Sequence, residues 1–254
     1  MGGQDSYCKS LLHFQNRVWT FAGNAQIDTA QSKFGGASLL LNGSTDYIST
    51  PNSADFDMGD SDFTVDFWVR FGTVTDCTFV DNGSGDYGLR IFIESNTLKA
   101  TIHYDTGFAI NFSGAWTPST DTWYHIAFVR NGATTTLYAD GVVVASDFSV
   151  SMRTPNSAFV VGRNGPDNNG YVNGWIGEFR ITKGLARWTA DFSASLPTAK
   201  YADDANTVSL LHFDEADGST YTKDYAANWT MDGQAQFYDE SGKVWTAYGN
   251  AQLD

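Results

Sequence analysis

The chain has 254 residues, 42% apolar and 15% aromatic, and a formal net charge of −14 from 29 acids against 15 bases. That composition supports a buried core, in one large domain or two smaller ones, and excludes a chain disordered throughout. With no run of Lys and Arg, the acidic balance argues against nucleic acid and anionic lipid as partners. No apolar run is long enough to cross a bilayer. The opening MGGQDSYCKSLLHF lacks the basic flank and apolar stretch of a signal peptide.

In chain order the predicted elements are nearly all strands. FTVDFWVRF places Phe63, Val65, Phe67, Val69 and Phe71 on one face by strict alternation. Short apolar runs follow in TFVDNGSGDYGLRIFIE, LKATIHY and FAINF, separated by Gly, Asn, Asp and Ser. WYHIAFVRNGATTTLYADGVVVA reads as three strands joined at Asn131-Gly132 and Asp140-Gly141, residues that accept the positive φ of a tight hairpin. AFVVGR and GWIGEFRIT continue the series, and KGLARWTADF reads as a short helical turn ending before Pro197. Many short strands and 25 glycines predict an all-β sandwich or jelly roll.

Four separated motifs carry a resemblance: KFGGASLLLNGSTDYIST, DFTVDFWVRF, WYHIAFVRNGATTTLYADGVVVA and GWIGEFRITKGLARWTADF. In this order they resemble laminin-G-like, concanavalin A-like lectin and glucanase domains, of the type found in bacteriophage tail and structural proteins and bacterial surface proteins. The resemblance covers about residues 5 to 201. It implies a jelly-roll sandwich of two curved antiparallel sheets, with the first and last strands side by side in one sheet. It also implies an extracellular or virion location.

The chain repeats its own opening. Ser-Leu-Leu-His-Phe stands at 10–14 and again at 209–213, and Trp-Thr-x-x-Gly-x-Ala-Gln-apolar starts at Trp19, Trp229 and Trp245. These copies divide the chain into a jelly-roll domain, residues 1–202, and a C-terminal β extension, residues 203–254, that duplicates the opening strands. Three placements of the extension stay open: the head of a further domain, strands added to the chain's own sheet, or strands given to a neighbouring molecule. The last makes a self-assembling fibre subunit. Trp19, Ile27, Trp229, Phe237, Trp245 and Leu253 are the candidate assembly residues because each repeat keeps an apolar group there.

Catalysis finds little support. The fold's glucanases set two or three carboxylates at alternate positions of one strand, and no Glu-x-Asp-x-Glu occurs here. His13, His103, His125 and His212 lack metal spacing, and three of them read as packed strand residues. Where the resemblance implies an Asp ligand for structural Ca²⁺, this chain has Gly177, and Glu178 one residue on is expected on the other face. No metal site or cofactor is assigned firmly; Ca²⁺ held by Asp46 or by the loop NGPDNNG is the one option. Cys8 and Cys77 are the two thiols, with pairing open. The family's non-catalytic role, glycan or cell-surface receptor binding, needs aromatic faces and polar groups on loops. The candidates are Tyr87, Tyr104, Trp116, Asn164, Asp167, Asn168, Asn169 and Tyr171, with RNGPDNNGYVNGW the richest stretch. The expected function is thus non-catalytic adhesion or recognition.

Overall fold

A computed structural model describes residues 17–83, 87–105, 107–165 and 167–226, and the backbone of two short strands beyond them. One sheet has seven strands: β1 (Thr20–Ala22), β4 (Tyr47–Thr50), β6 (Cys77–Asp81), β7 (Leu89–Glu94), β8 (Thr97–Asp105), β9 (Phe108–Ala115) and β13 (Phe159–Val161). Their order is β1-β4-β13-β6-β7-β8-β9. The other sheet holds β2 (Gln26–Asp28), β3 (Ser38–Asn42), β5 (Phe63–Phe71), β10 (Trp123–Asn131), β11 (Thr134–Ala139), β12 (Val142–Phe148), β14 (Asn173–Lys183) and β15 (Thr207–Leu211). It runs β12-β11-β10-β5-β14-β3-β2, with β15 also paired to β14. The two antiparallel sheets face each other as a jelly-roll sandwich.

The period-two pattern of β5 does what alternation requires. Phe63, Val65, Phe67, Val69 and Phe71 enter the core between the sheets, where they meet Phe79, Phe128 and Phe179. Yet Thr64, Asp66 and Trp68 on the opposite face are buried too. The segment from Leu185 to Tyr201 crosses that face. Thr64 Oγ1 donates to Leu185 O and accepts from Arg187 N–H, and Trp188 stacks on Phe192 at 4.2 Å. These contacts override the helical turn expected over KGLARWTADF, where none forms. The helical turns among the described residues are the 3₁₀ turns Ala54–Phe56 and Ser193–Ser195.

The expected hairpins form: Asp140 and Gly141 both have positive φ, at 47° and 75°, which suits their tight connection. Gly177 and Glu178 depart from simple alternation. Register shifts between Gly177 and Arg180, and Glu178 has φ 50°. This bulge holds the Glu178 carboxylate on the outer face beside Gly177 instead of turning it to the other side. There Glu178 Oε2 accepts from Tyr201 N–H at 2.9 Å and lies 2.8 Å from His212 Nδ1. Nearby, Asp66 is fully buried and takes two hydrogen bonds from Arg180, at 3.0 and 2.9 Å, while His125 Nε2 shares one with Tyr201 Oη. His125 and His212 are packed strand and strand-end residues.

The second copy of Ser-Leu-Leu-His-Phe lies beside β14. Phe179 faces Leu211, Arg180 faces Leu210 and Ile181 faces Ser209, with Leu210, Leu211 and Phe213 buried. The chain then runs along β2, where Ile27 N–H donates to Ser219 O and Gly218 N–H to Ile27 O, both at 2.8 Å. Asp224 closes this stretch. It accepts from Leu210 N–H, Ala226 N–H, Ser209 Oγ and Trp19 Nε1. Residues 203–226 therefore share the sheet and core of the sandwich, and the 202/203 boundary drawn from the repeat falls between strands of one sheet. In a separate unit, β16 (Ala235–Tyr238) and β17 (Val244–Ala247) pair antiparallel, Phe237 opposite Trp245.

Candidate functional site

At one end of the seven-stranded sheet the strand tips surround a cavity of about 190 Å³. Register brings its walls together. Val160 of β13 pairs with Asp81 of β6, Asp81 with Arg90 of β7, and Leu89 with Ile102 of β8, one residue before His103. Asp81, Tyr87, Arg90, His103, Asn164 and Asp167 line the space.

Each polar wall is held in place. Asp81 Oδ1 accepts from Gly83 N–H at 2.9 Å and Oδ2 from Gly165 N–H at 3.3 Å. One carboxylate thus ties the β6–β7 turn to the loop after β13. Burial pushes its pKa up to about 6 against the pull of these amides and Arg90, and neighbouring Asp167 adds to the rise. Asn164 Nδ2 donates to Asp167 Oδ2 at 3.0 Å. Arg163 supports this loop from beneath, donating to Asn164 O and Gly165 O at 2.9 Å and to Asn168 Oδ1. Arg90 donates to Thr78 Oγ1 and lies over the Phe92 ring. The Arg153 guanidinium covers one face of Tyr87 at 3.7 Å.

Of the residues singled out in the sequence, Tyr87, Asn164 and Asp167 line the cavity. Asn168 and Asn169 brace its loop, Asn169 O accepting from Asn164 N–H. Tyr104 projects from the same sheet end beside Phe108, ring centroids 6.2 Å apart and both exposed. Tyr171 is half-buried beyond the loop. Trp116 stands at the opposite end of the sheet, its N–H on Asn96 O, and packs against Phe71, Phe79 and Tyr124 as a core-edge residue. Asp81, Arg90 and His103 escape a reading of the sequence, because only the pairing of β6, β7 and β8 makes them neighbours. Trp19 and Ile27 are core residues of their own sandwich, 2% and 0% exposed. Trp229, Phe237, Trp245 and Leu253 lie outside the residues whose side chains are described.

Asp46 is spoken for by backbone amides: Oδ1 accepts from Asn24 N–H and Oδ2 from Asn42 N–H. Among the described residues no three His, Cys, Asp or Glu side chains gather as a metal would need. Cys77 is a buried free thiol, and burial raises its pKa; Cys8 lies outside the described residues. Among the described residues no helix is long and apolar enough to cross a membrane. The cavity offers carboxylate and amide oxygens, an amide N–H₂ and a phenol edge within one small space. That chemistry suits a polyhydroxylated ring.

A family profile described as the concanavalin A-like lectin/glucanases superfamily, laminin-G type, matches residues 42–187. The chain belongs to this superfamily. Solved structures agree in fold. The binding domain of Paraclostridial Mosquitocidal Protein 1 is 19% identical, with a TM-score of 0.56 over 67% of this chain and 44% of that one. The botulinum neurotoxin serotype D binding domain is 17% identical, TM-score 0.54, covering 70% and 46%. That of serotype C1 is 17% identical, TM-score 0.53, covering 67% and 45%. This concanavalin A-like chain spans less than half the length of each. Comparison with curated proteins found no match.

Proposed function

We propose that this concanavalin A-like domain is a non-catalytic recognition module. It binds a glycan of a cell-surface receptor at the sheet-end cavity, within an extracellular or virion structural protein. The observation that carries this reading is the convergence of Asp81, Asp167, Asn164, Tyr87, Arg90 and His103 on a cavity the size of one sugar ring. The exposed Tyr104 and Phe108 rings at the same end offer apolar surface to an adjoining residue of the ligand. The superfamily and the solved binding domains support it by analogy of fold. Against catalysis stands the state of the acids. Both oxygens of Asp81 are bound to backbone amides, and Glu178 is buried under Tyr201 and His212.

Saturation-transfer NMR against a panel of mono- and disaccharides tests the proposal. Binding of at least one sugar should weaken about tenfold or more in Asp167→Ala, roughly the 1.5–3 kcal/mol of a hydrogen bond to a charged group, and about two- to tenfold in Asn164→Ala, roughly the 0.5–1.5 kcal/mol of a neutral one. Binding unaffected by either change, or no binding across the panel, would remove the cavity as the site.

A further inference from the structure

Seven of the ten residues of Trp19–Asp28 recur in Trp245–Asp254, and the structure shows what the recurring residues do in the first copy. Trp19 is buried, donates to Asp224 Oδ2 at 3.3 Å and meets Phe159 and Phe179 edge-on. Thr20 pairs with Ser49 across β1 and β4. Gly23 has φ 67°, and a Cβ there would strike Asp46 and the Thr45 backbone. Asn24 N–H donates to Asp46 Oδ1 at 2.7 Å, Ala25 is buried, and Gln26 faces Leu40. Asp28 accepts from Trp175 Nε1 at 2.6 Å.

The three residues that differ stand where the seat is tolerant. Leu253 replaces Ile27, a volume-conserving exchange in a core position. Ala247 and Tyr248 replace Phe21 and Ala22, which are half-buried. The middle copy fits less well. It has Gln234 for Asn24 and Tyr238 for Asp28, so it lacks the short carboxylate that accepts from Trp175.

We propose that the terminal decapeptide of one copy of this chain occupies the Trp19–Asp28 seat of a second copy, displacing the resident segment. Occupant and seat are different segments of the sequence. One-way exchange is therefore heterologous and extends into a ring or an open chain of molecules, while reciprocal exchange between two copies closes a dimer. Guest and resident make nearly the same bonds, but the guest must first give up the pairing of residues 245–247 with β16, and the resident is tethered at high local concentration. Exchange consequently rises with protein concentration and is fullest when chains fold together. It draws on none of the residues of the sheet-end cavity.

The test is to refold the full chain at rising concentration and read mass by light scattering. Mass should climb from one chain to multiples. A Gly249→Val variant should stay at one chain mass, because a Cβ cannot enter the Gly23 position, and a melting temperature equal to the parent's is the check that its sandwich is intact. A synthetic peptide of residues 243–254, present during refolding, should cap growth, and its Gly249→Val form should not. A chain that stays single at every concentration overturns the proposal. So does assembly indifferent to both Gly249→Val and the peptide.

Discussion

Two buried aspartates show how the same residue type is placed for opposite ends. Burial alone would push the Asp66 pKa up, but Arg180 and His125 hold it below the ordinary carboxylate range. Its folded value is depressed, so its contribution to stability is present above the unfolded value and is lost as pH falls through the folded one. Asp66→Ala leaves Arg180 buried without its partner and should lower unfolding free energy by about 3–5 kcal/mol in urea titrations. Glu94→Ala, which breaks an exposed pair with Lys99, should leave it nearly unchanged. Asp81 runs the other way. Its folded value is raised to about 6, so its contribution is whole below the unfolded value and declines as pH rises through about 6. Carboxyl ¹³C titration should show the Asp81 midpoint near pH 6. A midpoint in the ordinary carboxylate range would contradict the desolvation on which the cavity's electrostatics rest.

At the scale of strands, β15 is the element on which the sandwich depends late in the chain. Leu210, Leu211 and Phe213 are each almost wholly buried, worth roughly 1.5–3 kcal/mol apiece, against a total stability of about 5–15 kcal/mol for a typical domain. Truncation after Ala202 should therefore abolish the cooperative thermal transition in circular dichroism, whereas truncation after Ala226 should keep it. Equal behaviour of the two truncations would mean that β15 is dispensable. The sandwich itself was legible because period-two runs such as Phe63–Phe71 state which face is buried, and Asn-Gly and Asp-Gly state where strands reverse. The burial of Asp66 and Trp68 on the other face was not, since it depends on the Leu185–Tyr201 segment crossing over them. That same crossing explains why KGLARWTADF, helical by local pattern, lies irregular under the grip of Thr64. Half of the cavity was readable in the loop carrying Asn164 and Asp167. The half on β6, β7 and β8 needs strand register, which no local pattern of Asp81, Arg90 or His103 announces.

For the molecule as a whole, the acidic surface and the superfamily's fold agree with a module that meets its partner through a small polar site. Where the sandwich begins and where it ends is one place: Arg17 lies 3.7 Å from Asp224, and Trp19 donates to that same carboxylate. A pull applied at these two ends would not stretch the sheets lengthwise. It would peel the terminal segments apart, breaking hydrogen bonds a few at a time at low force. Such a domain makes a poor link in a tensioned stalk and a better head mounted on the side of one, where load passes it by.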